Sequence, residues 1–174
     1  MHEINTYWEQ EQAVELSQLT PTDESLGKEG YRLTFSPSTI QVEANSDLGL
    51  LYGVYDLLRR QETGNLIQEG IINEVPAYQY RVLNHWDNPD LSVERGYAGN
   101  SLWKWEQLPD TLSPVYEEYA RANASIGINC TVLNNVNADP IMLTTDYLYK
   151  AKALADIFRP YGCKVYISTN FVSP

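Results

Sequence analysis

From Tyr80 onward the sequence repeats a single unit: a short apolar strand, a polar loop, an amphipathic helix. The strands read as Tyr80–Leu83, Asn129–Leu133 and Cys163–Ile167. Ser113-Pro114 reads as a helix cap followed by proline at the first helical position, where its missing N–H goes unused. The helix it opens places Tyr116, Tyr119, Ala120 and Ala124 on one face and stops at Gly127. The next helix carries Tyr147, Leu148, Ala151, Leu154, Ala155 and Phe158 on one face, and Pro160 and Gly162 end it. A βαβαβ order requires parallel strands joined by right-handed crossovers. A barrel and a doubly wound sheet both begin this way. No glycine-rich phosphate fingerprint follows any of the three strands, which argues against nucleotide binding. Three strands neither close a barrel nor protect the last edge, so the pattern predicts a piece of a larger protein.

The most informative stretch lies just after the first of these strands. Asn84, His85, Trp86, Asp87 and Asn88 crowd together before Pro89, which has no N–H to extend a ladder. Gly96 and Gly99 then bracket a loop carrying Glu94, Arg95 and Tyr97. Chemistry in parallel α/β proteins sits on loops at the carboxyl ends of strands, so this loop is the first candidate for a site. Trp86 keeps polar company that suits a ligand-facing ring better than a core one. Glu94 and Arg95 are adjacent and predict an ion pair that fixes the loop. The second strand opens into Asn134-Asn135-Val136-Asn137, whose amides suit either sugar hydroxyls or turn formation. Trp103 and Trp105, two apart, point the same way if extended and are expected to cover the loop.

Upstream the pattern differs. Residues 3–19 show weak helical periodicity and predict a surface helix or frayed end. Pro21 to Gly30 is rich in turn formers. Tyr31, Leu33 and Phe35, then Ile40, Val42 and Ala44, alternate with polar neighbours around Ser36-Pro37-Ser38, a β-hairpin with one buried face. Asn45-Ser46-Asp47 caps a helix whose apolar positions are Leu50, Leu51, Val54, Leu57 and Leu58. Arg59 and Arg60 fit its last turn, and Gly64 ends it. This small α+β unit is expected to occupy residues 1–76, and the βαβαβ portion residues 77–174.

Composition narrows the partners. A net charge of −11 over 174 residues, with no basic cluster, excludes an ordinary nucleic-acid surface. Thirteen tyrosines and four tryptophans against three phenylalanines give rings with polar tips, suited to sheet edges, interfaces and sugar sites. Cys130 and Cys163 lack metal-site spacing and are expected to be buried free thiols, so no metal site is expected on them; no cofactor is expected. The first residues do not form a signal peptide, and no run is apolar enough to span a membrane.

Several runs carry a family resemblance: Asn84–Asn88 (NHWDN), Glu94–Gly99 (ERGYAG), Ala122–Asn129 (ANASIGIN), Val132–Ala138 (VLNNVNA) and Phe158–Gly162 (FRPYG). Together, with Leu51–Tyr55 (LYGVY) upstream, they resemble glycoside hydrolase family 67, the α-glucuronidases of xylan breakdown. The resemblance spans roughly residues 28–174. It implies an α/β fold class: the first three strands of a partial (β/α)8 TIM barrel, after the end of a small α+β N-terminal domain. It implies an inverting, metal-free hydrolase that removes (4-O-methyl)glucuronic acid, α-1,2-linked to xylose, from xylo-oligosaccharides.

Inversion needs an acid for the leaving oxygen and a base for water, roughly 6.5–9.5 Å apart. The resemblance places both carboxylates, and the basic residues that hold the sugar's carboxylate, downstream of Pro174, so no catalytic residue is assigned here. It implies that Trp86 packs on the sugar and that Val136 lies near the 4-O-methyl group. Asn135, His85 and Asp87 complete the candidate substrate-binding set. His85 also reads as a hydrogen-bonded structural histidine, and Asp87 as an organiser of loop amides. The resemblance allows a homodimer built through a later domain. A non-catalytic carbohydrate-binding protein and a hexosaminidase-like glycosidase are the other readings.

Overall fold

The computed structural model describes residues 12–96 and 99–170. The chain divides into two compact units, one ending at Gln79 and the other beginning at Tyr80.

The first unit is a four-stranded sheet backed by one helix. Its strands are β1 (Ala13–Gln18), β2 (Tyr31–Phe35), β3 (Thr39–Ala44) and β4 (Gly70–Glu74), in the order β1-β3-β2-β4. β2 and β3 form the expected hairpin, with Leu33 opposite Val42 and Phe35 opposite Ile40. Alternation puts Tyr31, Leu33, Phe35, Ile40, Val42 and Ala44 on the buried face. Burying Leu33, Phe35, Ile40 and Val42 contributes about 1.5–3 kcal/mol each.

The helix α1 (Asp47–Glu62) starts where Ser46 Oγ accepts the Gly49 N–H at 3.2 Å. Its buried face is not the leucine stripe that the spacing predicts. Gly49, Tyr52, Gly53, Asp56 and Leu57 are buried, whereas Leu58 is exposed and Leu50, Leu51 and Val54 are only half-buried. Two glycines explain the rotation. A Cβ at Gly53 would lie 2.6 Å from Val42 Cγ1, and one at Gly49 would lie 2.7 Å from Ala44 Cβ. The helix backbone approaches β3 closely along this line, and a leucine face could not. Asp56 is tolerated there because Arg59 and Arg60 each donate to it at 2.8 Å. Burial raises its pKa, but these two bonds outweigh that and leave it below the usual carboxylate range.

The surface helix expected over residues 3–19 is also corrected. Residues 13–18 form β1, which runs parallel to β3 with Val14 beside Ile40 and Leu16 beside Val42. Weak local periodicity lost to pairing with a distant strand. The rest of that expectation lies outside the described residues. β4, unforeseen, pairs antiparallel with β2.

The second unit holds β5 (Val82–Asn84), α2 (Pro114–Ser125), β6 (Cys130–Val132), α3 (Thr145–Phe158) and β7 (Lys164–Tyr166). The three strands pair in parallel in the order β5-β6-β7. Ser113 caps α2 with Pro114 at its first position, as the sequence predicts. The core gathers Trp103, Trp105, Leu108, Tyr116, Ala120, Leu133, Met142, Leu154 and Phe158. Trp103 and Trp105 are therefore core residues and not loop covers. The Trp105 N–H donates to the Trp103 carbonyl at 3.1 Å, a tight turn that an extended segment would lack. Cys130 and Cys163 are free and buried, and burial pushes the Cys163 thiol up to about 12. Among the described residues no helix is long and apolar enough to cross a membrane.

Candidate active-site pocket

Parallel pairing brings the carboxyl ends of β5, β6 and β7 to one rim of the sheet, so their loops meet there. The loop after β5 folds back on itself. Asp87 bridges Val93, the Asn88 N–H donates to Ser92 O at 2.9 Å, and the Glu94 N–H donates to Trp86 O at 2.7 Å. These bonds turn Trp86 and Glu94 into neighbours although eight positions separate them.

Asp87 anchors this hairpin from below. It is 4% exposed, accepts the Ser101 hydroxyl at 2.5 Å and the Leu102 N–H at 3.1 Å, and sits 3.6 Å from His85 Nδ1. Burial raises its pKa; the His85 ring and the Ser101 hydroxyl pull harder the other way, so the carboxyl stays below its usual range. His85 Nε2 meets Tyr119 OH at 2.7 Å, and that hydroxyl meets Thr131 Oγ1 at 2.9 Å. The His85 ring also packs edge-on against Trp103, with centroids 5.0 Å apart. The chain Asp87, His85, Tyr119, Thr131 thus ties the loop to α2 and β6. His85 and Asp87 lie in this supporting layer and do not line the pocket.

The loop after β6 is held by its own amides. Asn134 spans to the end of β7, donating to Ser168 O at 3.0 Å and accepting the Ser168 N–H at 3.1 Å. Asn135 reaches the other way: its backbone N–H donates to Asp87 O at 3.0 Å and its amide Nδ2 donates to Asn88 Oδ1. Its Oδ1 accepts the Asn137 N–H at 2.6 Å. Asn134 and Asn135 are both buried, so turn formation claims most of their bonding capacity.

Above these anchors lies a cavity of about 220 Å³. Asn84, Trp86, Glu94 and Arg95 come from the first loop, and Asn135, Val136 and Asn137 from the second. Trp86 is 44% exposed and Val136 is 50% exposed, so both offer apolar surface to whatever enters. Three candidates from the sequence, Trp86, Val136 and Asn135, meet here. Asn137, whose amide suited sugar hydroxyls or turn formation, lines it too, as do Asn84, Glu94 and Arg95, which lay outside the candidate substrate-binding set. The expected ion pair between Glu94 and Arg95 is not formed; neither pairs with any described residue, and both face the pocket. Backbone geometry separates them: Arg95 takes the left-handed conformation at φ 60°. Asn170, at the tip of the third strand's loop, does not line this cavity.

Chemically the lining offers a flat ring, an isopropyl group, amides, one carboxylate and one guanidinium. A sugar needs such a mixture, with apolar faces for its C–H groups and polar groups for its hydroxyls. Among the described residues Glu94 is the single carboxylate in the lining, so they do not by themselves supply an acid and base pair there. Among the described residues no group of three His, Cys, Asp or Glu side chains could hold a metal ion.

Solved glycosidases share this fold over most of the chain. A β-N-acetylhexosaminidase structure superposes with a TM-score of 0.56 at 19% identity, covering 91% of this chain and 36% of that one. A GH138 enzyme targeting pectin rhamnogalacturonan II gives 0.62 at 12% identity, covering 91% of this chain and 20% of that one. Residues 60–174 match the glycosyl hydrolase family 67 middle domain, and residues 2–73 match domain 2 of glycosyl hydrolase family 20. The chain belongs to glycoside hydrolase family 67. A probable alpha-glucuronidase A of Neosartorya fischeri is 40% identical over 86% of the chain, and alpha-glucuronidase A of Emericella nidulans is 36% identical over 84%. The chain spans 18% of the length of each.

Proposed function

We propose that this chain is part of an α-glucuronidase that hydrolyses the α-1,2 bond between (4-O-methyl)glucuronic acid and xylose in xylo-oligosaccharides. The observation that carries the reading is the meeting of Trp86 and Val136 at one pocket, from loops fifty positions apart. The indole would pack on the apolar face of the sugar, and the isopropyl group would give the 4-O-methyl a dry contact. Asn84, Asn135 and Asn137 would address hydroxyls. His85 and Asp87 would act through the loop they hold.

In this reading residues 1–76 close an N-terminal domain, and residues 77–174 open a (β/α)8 barrel. Support comes from the strands themselves: Val82 and Leu83 on β5 and Tyr166 on β7 are exposed apolar residues, as in a sheet continued by further strands. The acid and base of an inverting mechanism would come from those strands. The deciding experiment expresses the whole gene product and assays release of 4-O-methylglucuronic acid from aldouronic acids. A folded protein that releases none rejects the reading.

A further inference from the structure

Arg95 is the residue that the pocket leaves unexplained. It belongs to the lining, forms no ion pair with a described residue, and has its backbone held at φ 60°, ψ 14°. That conformation disfavours any side chain with a Cβ, and such outliers persist where surrounding bonds impose them. Here the Glu94 N–H to Trp86 O bond and the Gly96 N–H to Val93 O bond, at 2.7 and 3.0 Å, fix the residues on either side. The loop therefore presents a cation to the cavity at a conformational cost. The surrounding chain carries a net charge of −11, a background that repels anions unless a local cation offsets it.

We propose that Arg95 is a specificity-determining residue that receives the carboxylate of a uronic acid in this pocket. The inference rests on the glucuronidase reading and deepens it. The resemblance assigns the carboxylate's basic partners to downstream segments; Arg95 is an additional partner supplied by this chain. A guanidinium is always charged and its fork matches a carboxylate with two parallel bonds, which makes it a sharper discriminator than lysine. Trp86, on the adjoining arm of the same hairpin, would hold the ring while Arg95 holds its charge. The pocket would then favour an acidic sugar over the neutral hexose of the same shape, because the guanidinium would face no anion in the neutral case.

The test uses the whole gene product and the variants Arg95→Gln and Arg95→Lys. Calorimetry with glucuronate and with glucose measures charge selectivity without requiring turnover. Loss of one charge-assisted contact should weaken glucuronate binding by about tenfold or more in Arg95→Gln, with glucose changed less than about twofold. Arg95→Lys should restore part of the loss. With aldouronic acid and its neutral methyl ester as substrates, Arg95→Gln should raise KM for the acid selectively and leave kcat nearly unchanged. Equal losses on charged and neutral ligands would make Arg95 merely structural and overturn the proposal, as would no loss. If the unmodified protein releases no uronic acid, the glucuronidase reading falls, while the calorimetric comparison still decides the role of Arg95.

Discussion

The backbone amide of Glu94 donates to the carbonyl of Trp86 at 2.7 Å, closing a hairpin whose two arms both face the pocket. The indole on one arm is thus positioned by the other. Trp86 is 44% exposed, so its removal leaves no large core void. Trp86→Ala in the whole gene product should lower kcat/KM on aldouronic acid at least about tenfold, by analogy with sugar-stacking rings. Thermal unfolding of the variant should stay close to that of the unmodified protein, and an unchanged kcat/KM would contradict the assigned role.

Val136 sets the neighbouring apolar contact. Val136→Ile adds one methylene where the proposed 4-O-methyl group would sit. Competition between methylated and bare glucuronate substrates should shift toward the bare one by about tenfold, within the 1–3 kcal/mol that one methylene is worth. Equal use of both substrates by both proteins would remove Val136 from the methyl contact.

Asp87 links the site to acid stability. Its folded pKa lies below the unfolded value of about 3.9, so its contribution is present above about pH 4 and is lost as pH falls through the folded value. Asp87→Asn should lower stability at pH 7 by about 1–3 kcal/mol, because a buried acceptor for Ser101 and Leu102 is weakened. It should also flatten the acid limb of a stability profile below about pH 4. Denaturant melts from pH 7 to pH 3 measure both effects.

In the first unit, Gly53→Ala should destabilise by about 1–3 kcal/mol despite the better helix propensity of alanine. The new Cβ would meet Val42 Cγ1 at 2.6 Å. A neutral or stabilising result in a chemical melt would mean that α1 can lift away from β3 without loss.

Much of the fold was legible because it depends on local signals. Ser113-Pro114 marks the start of α2, Gly162 in left-handed geometry ends the turn after α3, and the alternation from Tyr31 to Ala44 marks the hairpin. The failures share a cause. β1 and β4 exist because β3 and β2 offer free edges, and α1 turns its glycines inward because β3 approaches closely. Neither fact is written in the segments themselves. The pocket divides in the same way. Trp86 stood out by its polar company in sequence, and Val136 through the family resemblance. Arg95 and Glu94 join them only through the Asp87–Val93 bridge and the Asn135 link, which bring distant positions together.

The indole of Trp103 donates to the Leu133 carbonyl at 2.9 Å and is fully buried, whereas that of Trp86 meets solvent. The two rings should therefore differ in fluorescence. A dry indole emits toward the blue and is sheltered from iodide, while a wetted one emits toward the red and is quenched. Titration with sugar would then be read at the red edge of the spectrum, with the blue part serving as an internal gauge that the core around Trp103 has stayed intact.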